Sequence, residues 1–171
     1  MLKGRELLSL PVVTLKDRTQ IGEVKDLIYD YSKNKIIGYL IEPAGWIRDG
    51  KGFLHGDVVR REDDCLIIND ESVVRKISTI PELKEFQNKK NDLRGLRVEH
   101  EDGHIIGVIQ DLVVDGETGE ILGYEISDGI IQDLLNGRAT IPTTGISIDA
   151  DKVVTLPAVD DDTNNTKGEL L

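Results

Sequence analysis

The sequence predicts an all-β protein of two tandem small β-barrels, with a short connecting helix and a short helix in the second barrel. Three observations predict this fold class. A 21-residue segment recurs at a constant spacing of 85 residues. Short apolar runs alternate with polar turns about every 8–12 residues, as in small sandwiches and barrels. The 171 residues suffice for one ordinary domain or two very small ones.

The internal repeat is the strongest of these features. Residues 21–41 read IGEVKDLIYDYSKNKIIGYLI and residues 106–126 read IGVIQDLVVDGETGEILGYEI, and the two segments are identical at nine positions. Identities at Val13/Val98 and Asp17/Asp102 extend the match upstream at the same spacing. The chain is therefore a tandem pair of one unit, and equivalent glycines such as Gly38 and Gly123 are expected at close backbone approaches.

Each unit is expected to contain a central hairpin flanked by shorter turns. The strand candidates are rich in β-branched and aromatic residues, and the intervening segments carry Asn, Gly, Asp and Ser. The strands are predicted over 24–31 and 36–41 in the first unit, and over 109–115 and 121–126 in the second. Turns are predicted at 32–35 and 116–119, earlier at 16–19 and 101–104, and later at 62–64 and 149–151.

A helix is predicted between the two units, from Ser78 to about Lys89. Ser78 or Thr79 is the expected cap, and Pro81 suits the first turn. The resulting division of the chain is a first barrel over 1–77, a helical linker over 78–91, a second barrel over 92–157 and a disordered acidic tail over 158–171.

The second predicted helix spans residues 127–138 and carries the candidate binding surface. Ser127 or Asp128 would cap it, and its four large apolar residues fall on one helical face. This face is either a lid on the chain itself or an exposed docking ridge. Trp46, the single tryptophan, lies in the equivalent loop of the first unit, and Trp and Arg are enriched at binding hot spots. The candidate protein-binding residues are Trp46, Ile47, Arg48, Ile130, Ile131, Leu134, Leu135 and Arg138.

The charge is divided unevenly between the two halves. The formal net charge is −11, with +1 in residues 1–90 and −12 in residues 91–171. Because phosphate contacts need Lys and Arg, no direct nucleic-acid binding is expected, and contacts with a ribonucleoprotein would run through protein or through basic residues of the first unit. No apolar run is long enough to span a bilayer, and the N-terminus has no apolar signal core, which predicts a cytoplasmic protein.

Residues with catalytic or metal-binding potential do not cluster in the sequence. His100 and His104 flank a turn signal, and His55 aligns with Pro142 instead of with a second histidine. Cys65 lies in an apolar strand, which is typical of a structural cysteine. We therefore expect no enzyme, no cofactor and no metal site. The acidic pairs Asp26/Asp111 and Asp30/Asp115 are expected to serve the fold, for example by accepting hydrogen bonds from turn amides.

The repeated motif resembles the PRC-barrel family. The resemblance rests on Gly95 to Val98, Ile106-Gly107, Asp111 to Asp115 and Gly119 to Leu122 in the second unit, and on residues 21–27 in the first. The first unit departs from the pattern by six extra residues between Gly4 and Gly22, and by Asn34 in place of glycine. The family includes the cytoplasmic domain of the photosynthetic reaction-centre H subunit and the C-terminal domain of a ribosome-maturation factor, and the resemblance implies a docking or assembly module.

Two functional hypotheses follow. The first is a non-catalytic cytosolic adaptor that docks a protein partner, such as a ribonucleoprotein or a membrane-associated assembly, and that would reach the membrane only through that partner. The second is a regulatory module that binds a small ligand or a metal in the cleft between the barrels. A homodimer is compatible with both hypotheses.

Overall fold

In a computed structural model, the described residues (1–44, 49–87, 93–100, 102–128, 139–148 and 153–156) fold mainly into β-strands. The first unit contains β1 (Leu2–Lys3), α1 (Gly4–Leu7), β2 (Pro11–Thr14), β3 (Gln20–Glu23), β4 (Asp26–Asp30), β5 (Lys35–Glu42), β6 (Lys51–Leu54), β7 (Val58–Arg61), β8 (Leu66–Ile68), β9 (Arg75–Lys76) and α2 (Pro81–Gln87). The second contains β10 (Arg97–His100), β11 (Ile105–Val114), β12 (Ile121–Asp128), β13 (Ala139–Pro142), β14 (Ser147–Ile148) and β15 (Val153–Leu156).

The order of strands confirms the tandem repeat. The second unit has the order β13-β12-β11-β10-β15-β14. In the first unit the same order is divided between two sheets, β6-β5-β4 and β3-β2-β8-β7. The division falls between β3 and β4, which are separate strands where the second unit has the single ten-residue strand β11. β2 pairs in parallel with β8 in the first unit, and its equivalent β10 pairs in parallel with β15 in the second. The all-β prediction is confirmed, although the described strands do not close into a continuous barrel.

The pairings of β2 and of its equivalent β10 correct the predicted alignment by one residue. Val12 pairs with Gly22 as Val98 pairs with Gly107, so Val12, and not Val13, is the equivalent of Val98. Both valines are fully buried, since they face the core of their sheets.

Gly95, which opens the motif in the second unit, is equivalent to Ser9 and not to the predicted Gly4. The amide of Ser9 donates to the carbonyl of Val24, as the amide of Gly95 donates to that of Ile109. Both Ser9 (φ 65°) and Gly95 (φ 87°) have left-handed backbones. The first unit therefore has one extra residue here, not the six predicted from Gly4.

One apolar core extends through both units. It contains buried residues from each repeat, including the equivalent tyrosines Tyr39 and Tyr124, which are 2% and 1% exposed. Gly38 and Gly123 lie where predicted, at close approaches: a Cβ would lie 2.7 Å from the carbonyl oxygen of Phe53 at Gly38 and 2.5 Å from that of Ile141 at Gly123. Glycine at these positions lets each central strand lie against its neighbour.

The connecting helix was correctly predicted, but its cap was not. α2 and the 3-10 turn before it bury Ile77, Ile80 and Leu83 against the outer face of the β4-β5-β6 sheet. The carbonyl of Ile80 accepts the first helical hydrogen bond, from Lys84. The hydroxyl of Thr79 instead donates to the carbonyl of Lys76, and the hydroxyl of Ser78 donates to the carboxylate of Asp49, so neither predicted residue caps α2.

The prediction of a second helix over residues 127–138 is wrong at its first two residues. Ser127 and Asp128 lie in β12, where they pair with Val108 and Gly107. Residues 129–138 lie outside the described residues, as does the tail from residue 157 onward. Within the part of the chain that the structure describes, no helix is long and apolar enough to cross a membrane.

Candidate functional site

The two units are joined where their central hairpin turns meet. The amide of Ile36 donates to the carbonyl of Gly119 (2.8 Å), and the amide of Ile121 donates to the carbonyl of Asn34 (2.7 Å). These four residues are pairwise equivalent in the repeat, and both Asn34 (φ 49°) and Gly119 (φ 71°) have left-handed backbones. The contact is therefore reciprocal, and we call it the inter-unit junction.

The N-terminal segment of the first unit crosses onto the second. β1 pairs with β11, and the backbone amide of Arg5 donates to the buried carboxylate of Asp111 at 3.2 Å. In the opposite direction, the guanidinium of Arg94 pairs with Asp26, the equivalent of Asp111, at 3.4 Å. Each unit thus binds a segment of the other, which shows that the two units share an interface.

Glu125 anchors this crossing in the interior of the second unit. It is 1% exposed and pairs with the ammonium of Lys3 and, at 3.2 Å, with the guanidinium of Arg5. Burial alone would raise the pKa of Glu125, but the hydrogen bonds from Lys3 and Arg5 outweigh it and keep the pKa below its ordinary value. A buried carboxylate is tolerated here because it is paired with two cationic side chains, and these two come from the other unit.

His55 seals one side of the junction. Its Nδ1 lies 2.8 Å from the hydroxyl of Tyr39, and its Nε2 lies 3.3 Å from the carbonyl oxygen of Glu117 in the second unit's turn. Because a carbonyl only accepts, Nε2 carries the proton and the Tyr39 hydroxyl donates to Nδ1. Burial lowers the pKa of His55, which favours this neutral form. A Cβ at Gly119 would lie 2.8 Å from Nε2, so glycine makes room for the ring.

On the other side of the junction, the described residues border a cavity. The 3-10 turn after β13 begins with Thr143, as the one after β6 begins with His55, so Thr143 and not the predicted Pro142 is the equivalent of His55. Tyr124, the equivalent of Tyr39, donates to Asn34 Oδ1 at 3.5 Å. Beside them is a cavity of about 250 Å³, the Tyr124 cleft, which is lined by Tyr31, Ser32, Asn34, Tyr124, Thr143, Ile146 and Ile148.

Comparison with known proteins agrees with this architecture. The PRC-barrel domain matches the chain twice, over residues 1–86 and 87–161. The chain belongs to the PRC-barrel family. It is also similar to the "Uncharacterized protein YrrD" of Bacillus subtilis (strain 168), at 23% identity over 142 residues, which cover 80% of this chain and 75% of that protein. The first matched range of this PRC-barrel protein includes α2.

The candidate docking residues stay a prediction. They belong to the connections between equivalent strands of the two PRC-barrel units, β5 to β6 and β12 to β13. All eight, Trp46, Ile47, Arg48, Ile130, Ile131, Leu134, Leu135 and Arg138, lie outside the described residues. The described residues instead bring together the two turns, His55 and the Tyr124 cleft.

Cys65 belongs to a separate cluster on the first PRC-barrel unit. It is 5% exposed, and its thiol contacts the carboxylate of Glu62 at 3.6 Å. Arg18 and Arg60 both bind that carboxylate, at 2.8 and 2.9 Å, and these hydrogen bonds lower the pKa of Glu62 to about 2. Burial raises the pKa of Cys65. Glu62, Asp64 and Cys65 could approach one metal ion, but two guanidinium groups already occupy the carboxylate. These ion pairs favour a structural role for the Glu62 carboxylate over metal binding.

The paired aspartates have two different roles in the PRC-barrel units. Asp30 accepts from the amide of Ser32, and Asp115 accepts from the amide of Glu117, which confirms the predicted role in the turns. Asp26 and Asp111 instead bind the segments that cross between the units. A sequence pattern could not reveal this second role, because the partners in the other unit are more than sixty residues away along the chain.

Proposed function

We propose that this PRC-barrel protein is a non-catalytic cytosolic adaptor that docks a protein partner. The observation that carries the proposal is the reciprocal inter-unit junction. Two hydrogen-bonded turns and two crossing segments hold the repeats at a fixed separation, which makes one scaffold of two equivalent units. A scaffold of this kind can present two contact segments to one partner, and simultaneous engagement of both strengthens binding without any new contact.

Three described side chains that could take part in catalysis, His55, His104 and Cys65, are engaged within the fold, which supports a non-catalytic role. Both ring nitrogens of His55 are engaged within the chain. His104 is paired with Asp102 at an exposed turn. Cys65 is buried and its pKa is raised, so little thiolate forms at neutral pH.

The proposed contact segments are the connections after β5 and after β12, which carry Trp46 and the apolar residues of 129–138. They leave equivalent strands, so the scaffold fixes the ends of both. The acidic second half disfavours direct contact with nucleic acid, so an interaction with a ribonucleoprotein would run through its protein. Contact with a membrane would likewise depend on the partner.

Affinity capture of the tagged full-length chain from its source cell tests this proposal. Trp46→Ala and the double variant Leu134→Ser/Leu135→Ser are compared with the wild type, and Val59→Ala, at a residue 44% exposed on β7, is the matched control. The proposal expects one captured protein that both variants lose and the control keeps, with melting temperatures unchanged. Retention of that protein by both variants, or recovery of this chain alone, would overturn the adaptor role.

The melting temperatures also separate a lid from a docking ridge. A lid would bury the side chains of Leu134 and Leu135, each contributing roughly 1.5–3 kcal/mol. The double variant would then melt well below the wild type. An exposed ridge would leave melting unchanged and alter partner capture or the sedimentation of the protein.

The Tyr124 cleft supports a second candidate, a small-ligand regulatory module. The cleft opens at the junction, so a bound molecule would contact both units at once. The lining residues that the structure describes include no carboxylate, imidazole or thiol. This lining suits an organic ligand better than a divalent metal, which prefers those groups.

A further inference from the structure

We propose that His55 is a pH switch of the inter-unit junction: its neutral imidazole stabilises the contact between the two units, and a second proton on the ring weakens that contact. The inference concerns the scaffold itself and does not rest on the adaptor proposal. Capture of a partner and stability of the junction are separate measurements, so either proposal can fail alone.

The imidazole of His55 lies directly against the junction. Its Nδ1 is 2.8 Å from the Tyr39 hydroxyl of the first unit, and its Nε2 is 3.3 Å from the Glu117 carbonyl oxygen of the second. A Cβ at Gly119 would lie 2.8 Å from Nε2, so the ring packs on the residue whose carbonyl accepts from the amide of Ile36. Displacement of the ring would therefore alter the surroundings of a hydrogen bond that joins the two turns.

This geometry fits the neutral ring and not the protonated one. In the neutral ring, Nε2–H donates to the Glu117 carbonyl and Nδ1 accepts from the Tyr39 hydroxyl. A proton on Nδ1 would point at the hydrogen of that hydroxyl. The hydroxyl would have to rotate and accept instead, and its own hydrogen would lose this acceptor at a side chain that is 2% exposed. Loss of a hydrogen bond in so buried a place destabilises the closed junction.

The charged groups near His55 do not favour a positive ring. The titratable groups of the elements packed against it are Tyr39 and Lys35 on β5, Asp57 in its own 3-10 turn, and Asp115, Glu117 and Glu120 in the turn of the second unit. The ammonium of Lys35 opposes protonation of the ring. The carboxylates of Asp57 and Asp115 accept from backbone amides of their own turns. Glu117 and Glu120 are exposed, where water weakens their attraction for the ring.

The direction of the pH effect follows from the burial of the ring. Burial lowers the pKa of His55 below its ordinary value of 6.5, and the charge of Lys35 acts in the same direction. A base with a lower pKa in the folded state takes up its proton more readily in the unfolded chain. The stability that depends on neutral His55 is therefore complete above about pH 6.5 and is lost as the pH falls below it.

Urea denaturation of the full-length wild type and of His55→Gln at pH 7.5 and pH 5.5 tests the switch. Glutamine stays neutral and has an N–H that can donate to the Glu117 carbonyl. As the pH falls, the unfolding equilibrium constant should rise roughly three- to tenfold more in the wild type than in the variant, the fold-change of one lost hydrogen bond. His104→Gln, at an exposed turn, is the matched control and should respond to pH as the wild type does.

NMR titration of the wild type provides a second measurement, which does not depend on the folding of any variant. The His55 ring should titrate below its ordinary pKa of 6.5, and the amide signals of Ile36 and Gly119 should shift with the same midpoint. Titration of the ring at or above pH 6.5, junction amides that do not follow it, or equal pH responses of the wild type and His55→Gln would overturn the inference.

Discussion

Asn34 and Gly119 occupy equivalent positions in the two repeats, and each accepts a hydrogen bond from the other repeat: Ile121 donates to Asn34 and Ile36 donates to Gly119. The symmetry of the backbone is not matched by the side chains. Gly119 leaves room for the ring of His55, whereas Asn34 contacts Tyr124 beside an open cleft. Among the described residues, one side of the junction is therefore filled by His55 and the other borders a cavity.

Replacing Gly119 should destabilise the protein through the backbone and through His55 together. Gly119→Ala puts a Cβ on a left-handed residue, which costs roughly 1–2 kcal/mol, and places it 2.8 Å from His55 Nε2. Gly103→Ala is the matched control, because its φ of 88° is similar but nothing lies within 4 Å of its Cβ. Urea denaturation should show a larger loss for Gly119→Ala, by about 1 kcal/mol or more. Equal losses would show that the His55 contact adds nothing.

Removing Arg5 should destabilise the second unit, although Arg5 belongs to the first. Arg5→Met leaves the buried carboxylates of Asp111 and Glu125 with fewer partners, which should cost about 1–3 kcal/mol in the free energy of unfolding. Lys25→Met removes an exposed ion pair with Glu23 and should cost less than about 1 kcal/mol. Chemical denaturation compares the two variants, and losses of equal size would contradict a role of Arg5 in joining the units.

Much of this fold could be predicted from the sequence because its signals are local. The hairpin turns, the apolar strands and the close approach at Gly38 depend on residues within a few positions of each other. Alignment by identity failed where the backbone and not the residue type is shared. Ser9 adopts the left-handed conformation of Gly95. Val12 takes the place of Val98, although it is Val13 that lies at the constant spacing of 85 residues from it.

The candidate site was harder to predict because it forms between distant segments. His55 meets the turn of the second unit through Glu117, 62 residues further along the chain. Arg5 reaches Asp111 across 106 residues. No periodicity or motif encodes such contacts. The cleft between the units was anticipated as a general location, but its position beside Tyr124 depends on the three-dimensional pairing of the repeats.

The ion pairs of Glu62 with Arg18 and Arg60 should make the free energy of unfolding depend on pH under acidic conditions. Hydrogen bonds from Arg18 and then Arg60 hold the pKa of Glu62 at about 2, below its ordinary value of 4.5. A lowered folded-state pKa contributes stability that is complete above about pH 4.5 and is lost as the pH falls towards about 2. Glu62→Gln should therefore flatten this part of the stability curve, measured by urea denaturation across that range. A variant curve parallel to that of the wild type would contradict the ion-pair role of Glu62.

The central claim is that the reciprocal junction makes the two repeats one cooperative body. Native-state hydrogen exchange of the Ile36 and Ile121 amides in increasing urea tests this claim most directly. We expect both amides to exchange through the same global unfolding step, with the same free energy and the same urea dependence as the core amides of each unit. Exchange of either amide through a lower-energy opening, with one repeat still protected, would show that the units are only loosely joined and contradict the account.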